Sequence, residues 1–374
     1  MSLLMSGAVI AAGMPAAVAQ SGDPINVGAI FSTTGNFAGA GSEALAGVQI
    51  LVEEVNAAGG IDGRPIKLVH VDDESRPELA VSQVKRLIQR DEVVAVAGPA
   101  STVLSASMSP VLNESKVAGV GCICFVGPIS TYEFSTFPLA GVMDTLGQFA
   151  TSKGAKKIGV ITQAGALAEL VQNTQLPLLV KQGFEVVGVE HFQANDTDVT
   201  PLLARLQSGG AELIFAAASG ASAALLAKNF KQISYPGTFW TYGGNATAAF
   251  LDLVGEAGDV VNMGGYKILV YRDLLDTDPM KVRLTKFAEA YHAKTGKEPG
   301  LYATFGYDTA LSIVEAIRVA GPDREKVREA LETQTGVSGL NGPISRSAEQ
   351  HNGLNTDWIS VRVDVANKRY VPAQ

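Results

Sequence analysis

Positive charge is scarce in this chain, and its first Lys or Arg is Arg64. With 29 Lys+Arg against 37 Asp+Glu, the formal net charge is -8. No basic cluster with interleaved aromatics offsets it, which argues against a nucleic-acid partner, whose phosphates bind chiefly through Lys and Arg. Cysteine is nearly missing, with Cys122 and Cys124 the only two. At i and i+2 of a strand they share a face with Cα atoms roughly 6.6 Å apart, an awkward span for a bridge, so buried free thiols are expected rather than a bridge between them. The four histidines (His70, His191, His292, His351) are scattered without ligand spacing, so no metal site is expected. Hydrolase signatures such as G-x-S-x-G and H-E-x-x-H are also absent. Paired acids (Asp72-Asp73-Glu74, Glu53-Glu54) are adjacent and read as helix-flanking, solvated charges. No base, nucleophile and orienting partner can be assembled from neighbouring strand ends, so no enzyme is expected.

What is present describes an ordinary globular chain, 47% hydrophobic and 18% charged. At 374 residues it exceeds one comfortable core, so two domains are expected. Residues 3–19, "LLMSGAVIAAGMPAAVA", are apolar and small, and end on an A-x-A pattern. They read as a signal peptide over 1–20, cleaved near Ala19/Gln20, with its basic n-region missing or replaced. Gly and Pro interrupt the run and no stop-transfer pattern follows, so a membrane anchor is disfavoured and no membrane insertion of the mature chain is expected. The periplasm is the expected location.

Strand-like and helix-like stretches alternate. Strands are read at 24–32, 64–73, 92–98 and 116–125, with helices at 41–58, 77–90 and 101–114 between them. After a break near 135–145 a second series begins, with strands at 155–162, 184–192, 211–218 and 237–244 and a helix opening at Asp198. "MGGYKILVY" (263–271) is read as one further strand, helices follow at 278–295, 300–320 and 323–334, and a hairpin turning at Asn367-Lys368 closes the chain. The βα alternation implies an α/β fold of two doubly wound lobes whose ligands sit beyond the carboxyl ends of the strands. The late helices need a partner, and the first lobe has room for them. The expected division is 24–143 plus 272–350 for lobe 1, and 144–271 plus 351–374 for lobe 2.

Gly39 to Ala44 matches G-x-G-x-x-A, but the first Gly falls well past the strand ending at Phe31. The unit from Ile25 to Asp73 also exceeds the ~30 residues of a dinucleotide-binding βαβ. No cofactor is expected. The strand-end loops instead are small, hydroxyl-bearing and nearly uncharged: "STTGNFAGAG", "GPASTVLS" and "CICFVGP" in one lobe, "TQAGALAE", "AASGASAA" and "YGGNATAA" in the other. Backbone N–H groups and hydroxyls at helix N-termini can hold a carboxylate without Lys or Arg. Ser101 and Thr102 fit that role and equally fit plain helix capping. Residues alone leave both open.

The run "INVGAIFSTTGNFAGAGSEALAGVQILVEEVNAAGGIDGRPIKLVHVDDES", followed in order by "VAGPASTVLSASMSPVLNESKV", "ANDTDVTPLLARLQSGGAELIF" and "YATFGYDTALSIVEAIRVAG", resembles the type I periplasmic binding proteins. Within them it is most similar to the branched-chain amino-acid (Leu/Ile/Val) binding group of ABC transporters. The likeness runs from about Ile25 to Asn341. It implies a cleft between two lobes joined by a three-stranded hinge, closing on a small-molecule ligand delivered to a membrane permease. It also implies that Ser101 and Thr102 hold a ligand carboxylate together with Cys124 and Phe125, under cover of Phe37.

The chain departs from that pattern in three places. Loop four is Gly121-Cys122-Ile123-Cys124-Phe125 where the family is Ser-Pro-Ser-Ala-Thr-like. Leu167 stands where amino-acid binders carry Tyr, and Gly243-Gly244 replace the acid that pairs with an α-ammonium. A closed cleft without that acid leaves an ammonium poorly paired. The expected solute is therefore a small apolar carboxylate, an aromatic or branched aliphatic acid. Phe37, Phe125, Tyr242 and Tyr266 supply aromatic walls (a core or hinge role being open for the two tyrosines), with Ser219 and Asn245 contributing from lobe 2. The alternatives are a branched-chain or other amino-acid binder, and a ligand-sensing receptor domain for amides or small organics.

Overall fold

The computed structural model describes residues 22–122, 130–137, 140–193, 195–353 and 358–373. The signal-peptide reading, Cys124 and Phe125 therefore lie outside the described residues. The first lobe opens with β1 (Ile25–Ile30), α1 (Ala38–Ala57), β2 (Ile66–Val71), α2 (Pro77–Gln89), β3 (Ala95–Ala97), α3 (Thr102–Ser115), β4 (Ala118–Gly121) and β5 (Glu133–Ser135). The second follows with α4 (Ala140–Ser152), β6 (Lys157–Gln163), α5 (Ala166–Leu170), α6 (Leu176–Lys181), β7 (Glu185–Phe192), α7 (Thr200–Ser208), β8 (Leu213–Ala217), α8 (Gly220–Gln232), β9 (Thr238–Thr241), α9 (Ala248–Val254) and β10 (Val261–Tyr266). The chain then returns through α10 (Lys281–Thr295), α11 (Leu301–Ala320), α12 (Arg324–Glu332), β11 (Val337–Gly339) and β12 (Gly342–Ile344). It ends in β13 (Trp358–Asp364) and β14 (Arg369–Pro372).

Sheet 1 has the order β2-β1-β3-β4-β5 and is parallel throughout. Sheet 2 has the order β14-β13-β10-β9-β8-β6-β7, parallel from β7 to β10 and antiparallel at the closing hairpin. That hairpin turns where its sequence places it, with Asp364 opposite Arg369. The central strands are apolar on both faces: β1, β3, β4 and β8 are buried almost throughout. Such runs are what a parallel sheet covered by helices on both sides demands. This is a two-lobed α/β fold.

Helices α10 and α11 pack against α1, and α12 packs against β4. In α1, Ala44, Leu45, Val48, Leu51, Val52 and Val55 are buried at helical spacing, and α11 lies against that stripe. The approach is close enough to require glycine. A Cβ at Gly306 would stand 1.9 Å from the Ala44 carbonyl oxygen, and one at Gly47 would stand 1.9 Å from that of Ala303. Glu53 and Glu54 tie α1 to both returning helices, accepting from Lys294 Nζ of α10 at 2.6 Å and the Tyr307 hydroxyl of α11 at 2.8 Å.

Several readings from sequence need correction. The strand read at 263–271 stops at Tyr266, and residues 267–273 form a 3-10 turn. Ile268 and Val270 are buried there because the chain is leaving sheet 2 for α10, not because it continues as a strand. The strand read at 116–125 is described only over 118–121. Three-residue strands β5, β11 and β12 were too short to carry a period. Asp73 is fully buried rather than solvated, for a reason that belongs to the site.

Candidate functional site

The loops beyond the strand ends of sheet 1 are built around two carboxylates. Asp72 accepts from Thr33 N (3.0 Å), Thr33 Oγ1 (2.6 Å), Thr34 Oγ1 (3.0 Å) and Glu74 N (2.8 Å). Asp73 accepts from Ser32 Oγ (2.5 Å) and Ser75 N (2.9 Å). Partial burial alone would raise the Asp72 pKa, but the bonds from Thr33, Glu74 and Thr34 outweigh it and hold that carboxyl below its ordinary value. For Asp73, burial wins over the Ser32 and Ser75 bonds and pushes the pKa up. Ser75 completes the knot: its hydroxyl donates to Thr34 O at 2.8 Å and accepts from Phe37 N at 3.0 Å. Phe37 thus stands at the amino end of α1, 36% exposed, on a loop fixed from below. Sequence reading dismissed these acids because adjacency in sequence says nothing of the loop each one reaches across to.

Between β3 and α3 the chain passes tightly over the end of β1. A Cβ at Gly98 would lie 2.1 Å from the Ile30 carbonyl oxygen. Ser101 follows as the N-cap residue, in extended conformation and 6% exposed, yet its side chain makes no capping hydrogen bond. Thr102 opens the helix and is exposed. The same chain does cap helices by side chain elsewhere: Thr247 accepts from Phe250 N at 3.2 Å, and Asp323 accepts from Lys326 N at 3.0 Å. Against those, the Ser101 hydroxyl is not spent on its own helix. Capping and ligand contact were indistinguishable in sequence; the geometry removes side-chain capping.

In lobe 2 the corresponding N-cap, Ser219 of α8, is exposed and likewise makes no side-chain cap. Its loop is held instead by Asn245, whose Oδ1 accepts from Gly220 N at 2.8 Å. The Asn245 amide donates to Ala218 O (3.0 Å) and Thr241 Oγ1 (3.1 Å), and the side chain is buried. Asn245 therefore ties the loops after β8 and β9 together. Tyr242, half-buried at the end of β9, donates to Gln175 Oε1 at 2.6 Å and sets its ring edge-on to Phe215 at 5.3 Å. Gln175, 1% exposed in a π-helical turn between α5 and α6, escaped sequence reading because nothing local marks it. Leu167 lies half-buried on α5. Tyr266 is 1% exposed and packed among the rings of Phe305 and Trp358, so it stands at the crossing between lobes rather than on an open wall.

Other titratable groups serve the frame. Cys122 is buried with its sulfur 3.3 Å from Thr309 Oγ1, and burial pushes its thiol up to about 12, which leaves it unreactive. Asp308 accepts from Leu340 N, Asn341 N and Asn341 Nδ2, although burial holds its pKa at about 6. Glu43, on α1, lies against the amino end of α11, where a Cβ at Gly300 would come within 2.3 Å of its Oε2. Burial raises Glu43 to about 7, against the lowering effect of the Tyr302 backbone N–H. No group of three or more His, Cys, Asp or Glu able to hold a metal occurs among the described residues. An open cavity of ≈ 820 Å³ lined by Ile88, Glu92, Lys116, Asp323 and Arg324 lies at the opposite, amino-terminal edge of sheet 1. Its Arg324 and Asp323 are engaged in holding Val93 and Ile88 carbonyls and capping α12.

Comparison with known proteins gives a consistent result. A family model described as "Periplasmic binding protein" matches residues 24–369. The chain is 26% identical over 345 residues to a Leu/Ile/Val-binding protein homolog of Brucella abortus, covering 87% of this chain and 84% of that one. It is 25% identical over 344 residues to a leucine-, isoleucine-, valine-, threonine- and alanine-binding protein of Pseudomonas aeruginosa, covering 87% and 88%. Among solved structures, an extracellular ligand-binding receptor from Rhodopseudomonas palustris superposes with a TM-score of 0.80 at 23% identity, covering 95% of this chain and 100% of that one. No helix among the described residues is long and apolar enough to cross a membrane.

Proposed function

The chain belongs to the periplasmic binding protein family, and on that premise we propose that it is the solute-capturing component of an ABC importer whose solute is a small apolar carboxylate, an aromatic or branched aliphatic acid. The observation that carries this reading is Ser101: a buried N-cap residue whose hydroxyl makes no cap, beside the first turn of α3. There the backbone N–H groups and the helix dipole favour an anion. Ser101 and Thr102 take the carboxylate, joined by Cys124 and Phe125 from the segment that follows β4 in sequence, and Phe37 covers the apolar end. Leu167, Ser219 and Tyr242 close the cleft from lobe 2.

The absence of a partner for an ammonium supports the same solute class. The segments following β6 (164–165), β8 (218–219) and β9 (242–247) carry no acid. At Gly243 an acid is sterically barred, since a Cβ would stand 2.2 Å from the Gly264 carbonyl oxygen. An ammonium enclosed there would lose its hydration without gaining a carboxylate. Binding at this site needs no base, nucleophile or cofactor. The protein is read as a carrier working in the periplasm with a membrane permease as its partner.

The test is a thermal-shift panel of leucine and valine against benzoate, phenylacetate and 3-methylbutanoate. A solute at 100 times its Kd stabilises by about 2.7 kcal/mol. Stabilisation by one or more of the carboxylates and not by leucine or valine is expected. Tight binding of leucine or valine would overturn the assignment in favour of an amino-acid carrier, and consumption of a bound solute by the pure protein would overturn the carrier role. Ser101→Ala is expected to weaken the bound carboxylate by about 1–3 kcal/mol, the range for unpairing a buried polar group.

A further inference from the structure

The chain crosses between the lobes three times: after β5, after β10, and between β12 and β13. Phe137 follows β5 at the first crossing, Tyr266 ends β10 at the start of the second, and Trp358 opens β13 at the end of the third. A fourth ring, Phe305, fully buried, comes from α11 of the first lobe. The four close a cycle. Phe137 lies 4.9 Å from Phe305, and Phe305 meets Tyr266 edge-on at 5.2 Å and 89°. Tyr266 lies 4.4 Å from Trp358, which meets Phe137 edge-on at 5.7 Å and 85°.

The rings divide between the lobes. Tyr266 and Trp358 are register partners across β10 and β13, so they move with sheet 2. The α4 backbone abuts the same indole: a Cβ at Gly141 would lie 2.1 Å from Trp358 Nε1. Phe305 moves with α11 and hence with α1 and sheet 1. Just below the cycle, the first and third crossings are fastened to each other on the first lobe. Ser135 N donates to His351 O (3.1 Å), and Gly353 N donates to Ser135 O (2.8 Å). Buried Arg346 clamps both, from Nη2 to Ser135 O at 3.0 Å and from Nε to His351 O at 3.2 Å, and its guanidinium also donates to Gln334 Oε1. The crossings are thus stiff at the Arg346 level, and the next layer toward lobe 2 is held by ring faces and edges. Those contacts are weakly directional and tolerate sliding, with offset and edge-on arrangements as preferred stops.

We propose that the ring cycle Phe137–Phe305–Tyr266–Trp358 is the bearing on which the two lobes turn, and that its edge-on contacts limit the angles between them. This rests on the reading that the lobes close on a solute. Rotation of lobe 2 slides Tyr266 across the fixed Phe305, and Trp358 across Phe137. Removing a ring leaves the lobes folded and frees the angle.

The test needs no solute, so its outcome is independent of the thermal-shift panel. Spin labels at Val319→Cys and Val180→Cys, exposed positions on α11 and α6, report the interlobe distance in a Cys124→Ser background; Cys122 is buried and stays unlabelled. Phe305→Ala and Phe137→Ala are expected to widen the distance distribution at least twofold. Phe230→Ala, which removes a ring stacked on Tyr235 at 4.7 Å inside lobe 2, is expected to leave it unchanged. Should an alanine variant fail to fold, Phe305→Leu and Phe137→Leu remove the ring but retain much of the apolar bulk, and carry the same expectation. Unchanged widths in the bearing variants, or equal widening in Phe230→Ala, would overturn the proposal.

Discussion

Replacing Glu43 by Gln is expected to stabilise the protein at pH 8 and to do nothing favourable at pH 5. The carboxyl has a pKa of about 7 in the folded chain against 4.5 for an unperturbed Glu. A folded-state pKa raised above the unfolded one means that the native chain holds the proton more tightly. The associated stability is present in full below pH 4.5 and is lost as pH rises through about 7. Each pH unit in that window is worth about 1.4 kcal/mol, which gives a ceiling of about 3 kcal/mol for the whole interval. Glu43 is only half-buried, so solvent screening lowers the figure to about 1–2 kcal/mol. Gln keeps an oxygen for the Tyr302 backbone N–H and removes the ionisation. The assay is thermal unfolding of both proteins at several pH values from 5 to 8. For a cooperative unit of lobe size the variant gains about 2–8 °C in Tm over wild type at pH 8, and the gain fades toward pH 5. A Tm difference that stays constant across the series would show that Glu43 ionises freely, and the reasoning would fail.

Two further expectations concern packing and capping. Gly306→Ala places a Cβ at 1.9 Å from the Ala44 carbonyl oxygen, so α1 and α11 must separate; urea titration should read a loss of about 3 kcal/mol, and a loss below about 0.5 kcal/mol would show that the helices yield. Thr247→Ala removes a side-chain cap on α9 and is expected to cost about 1 kcal/mol, whereas Ser101→Ala removes none and should change folding stability by less than about 0.5 kcal/mol. Equal losses in the two would return Ser101 to a capping role.

Length, periodicity and strand-end composition determined much of this protein without coordinates. The βα alternation and the runs apolar on both faces required parallel sheets under helices, because only that arrangement buries such strands. Small, uncharged loops after those strands pointed to the face where a ligand would lie. These are local signals, written in neighbouring residues. The tertiary structure decided what depends on residues distant in the chain. Asp73 looked solvated, yet Ser32 reaches it from another loop and burial follows. Asn245 looked like a contact residue, yet it spends its amide on Ala218 and Thr241. Tyr266 looked like a wall, yet it is held between Phe305, 39 positions away, and Trp358. Ser101 is the sharpest case: sequence placed a hydroxyl at the mouth of a helix, and only backbone and side-chain geometry together showed that the helix does not use it.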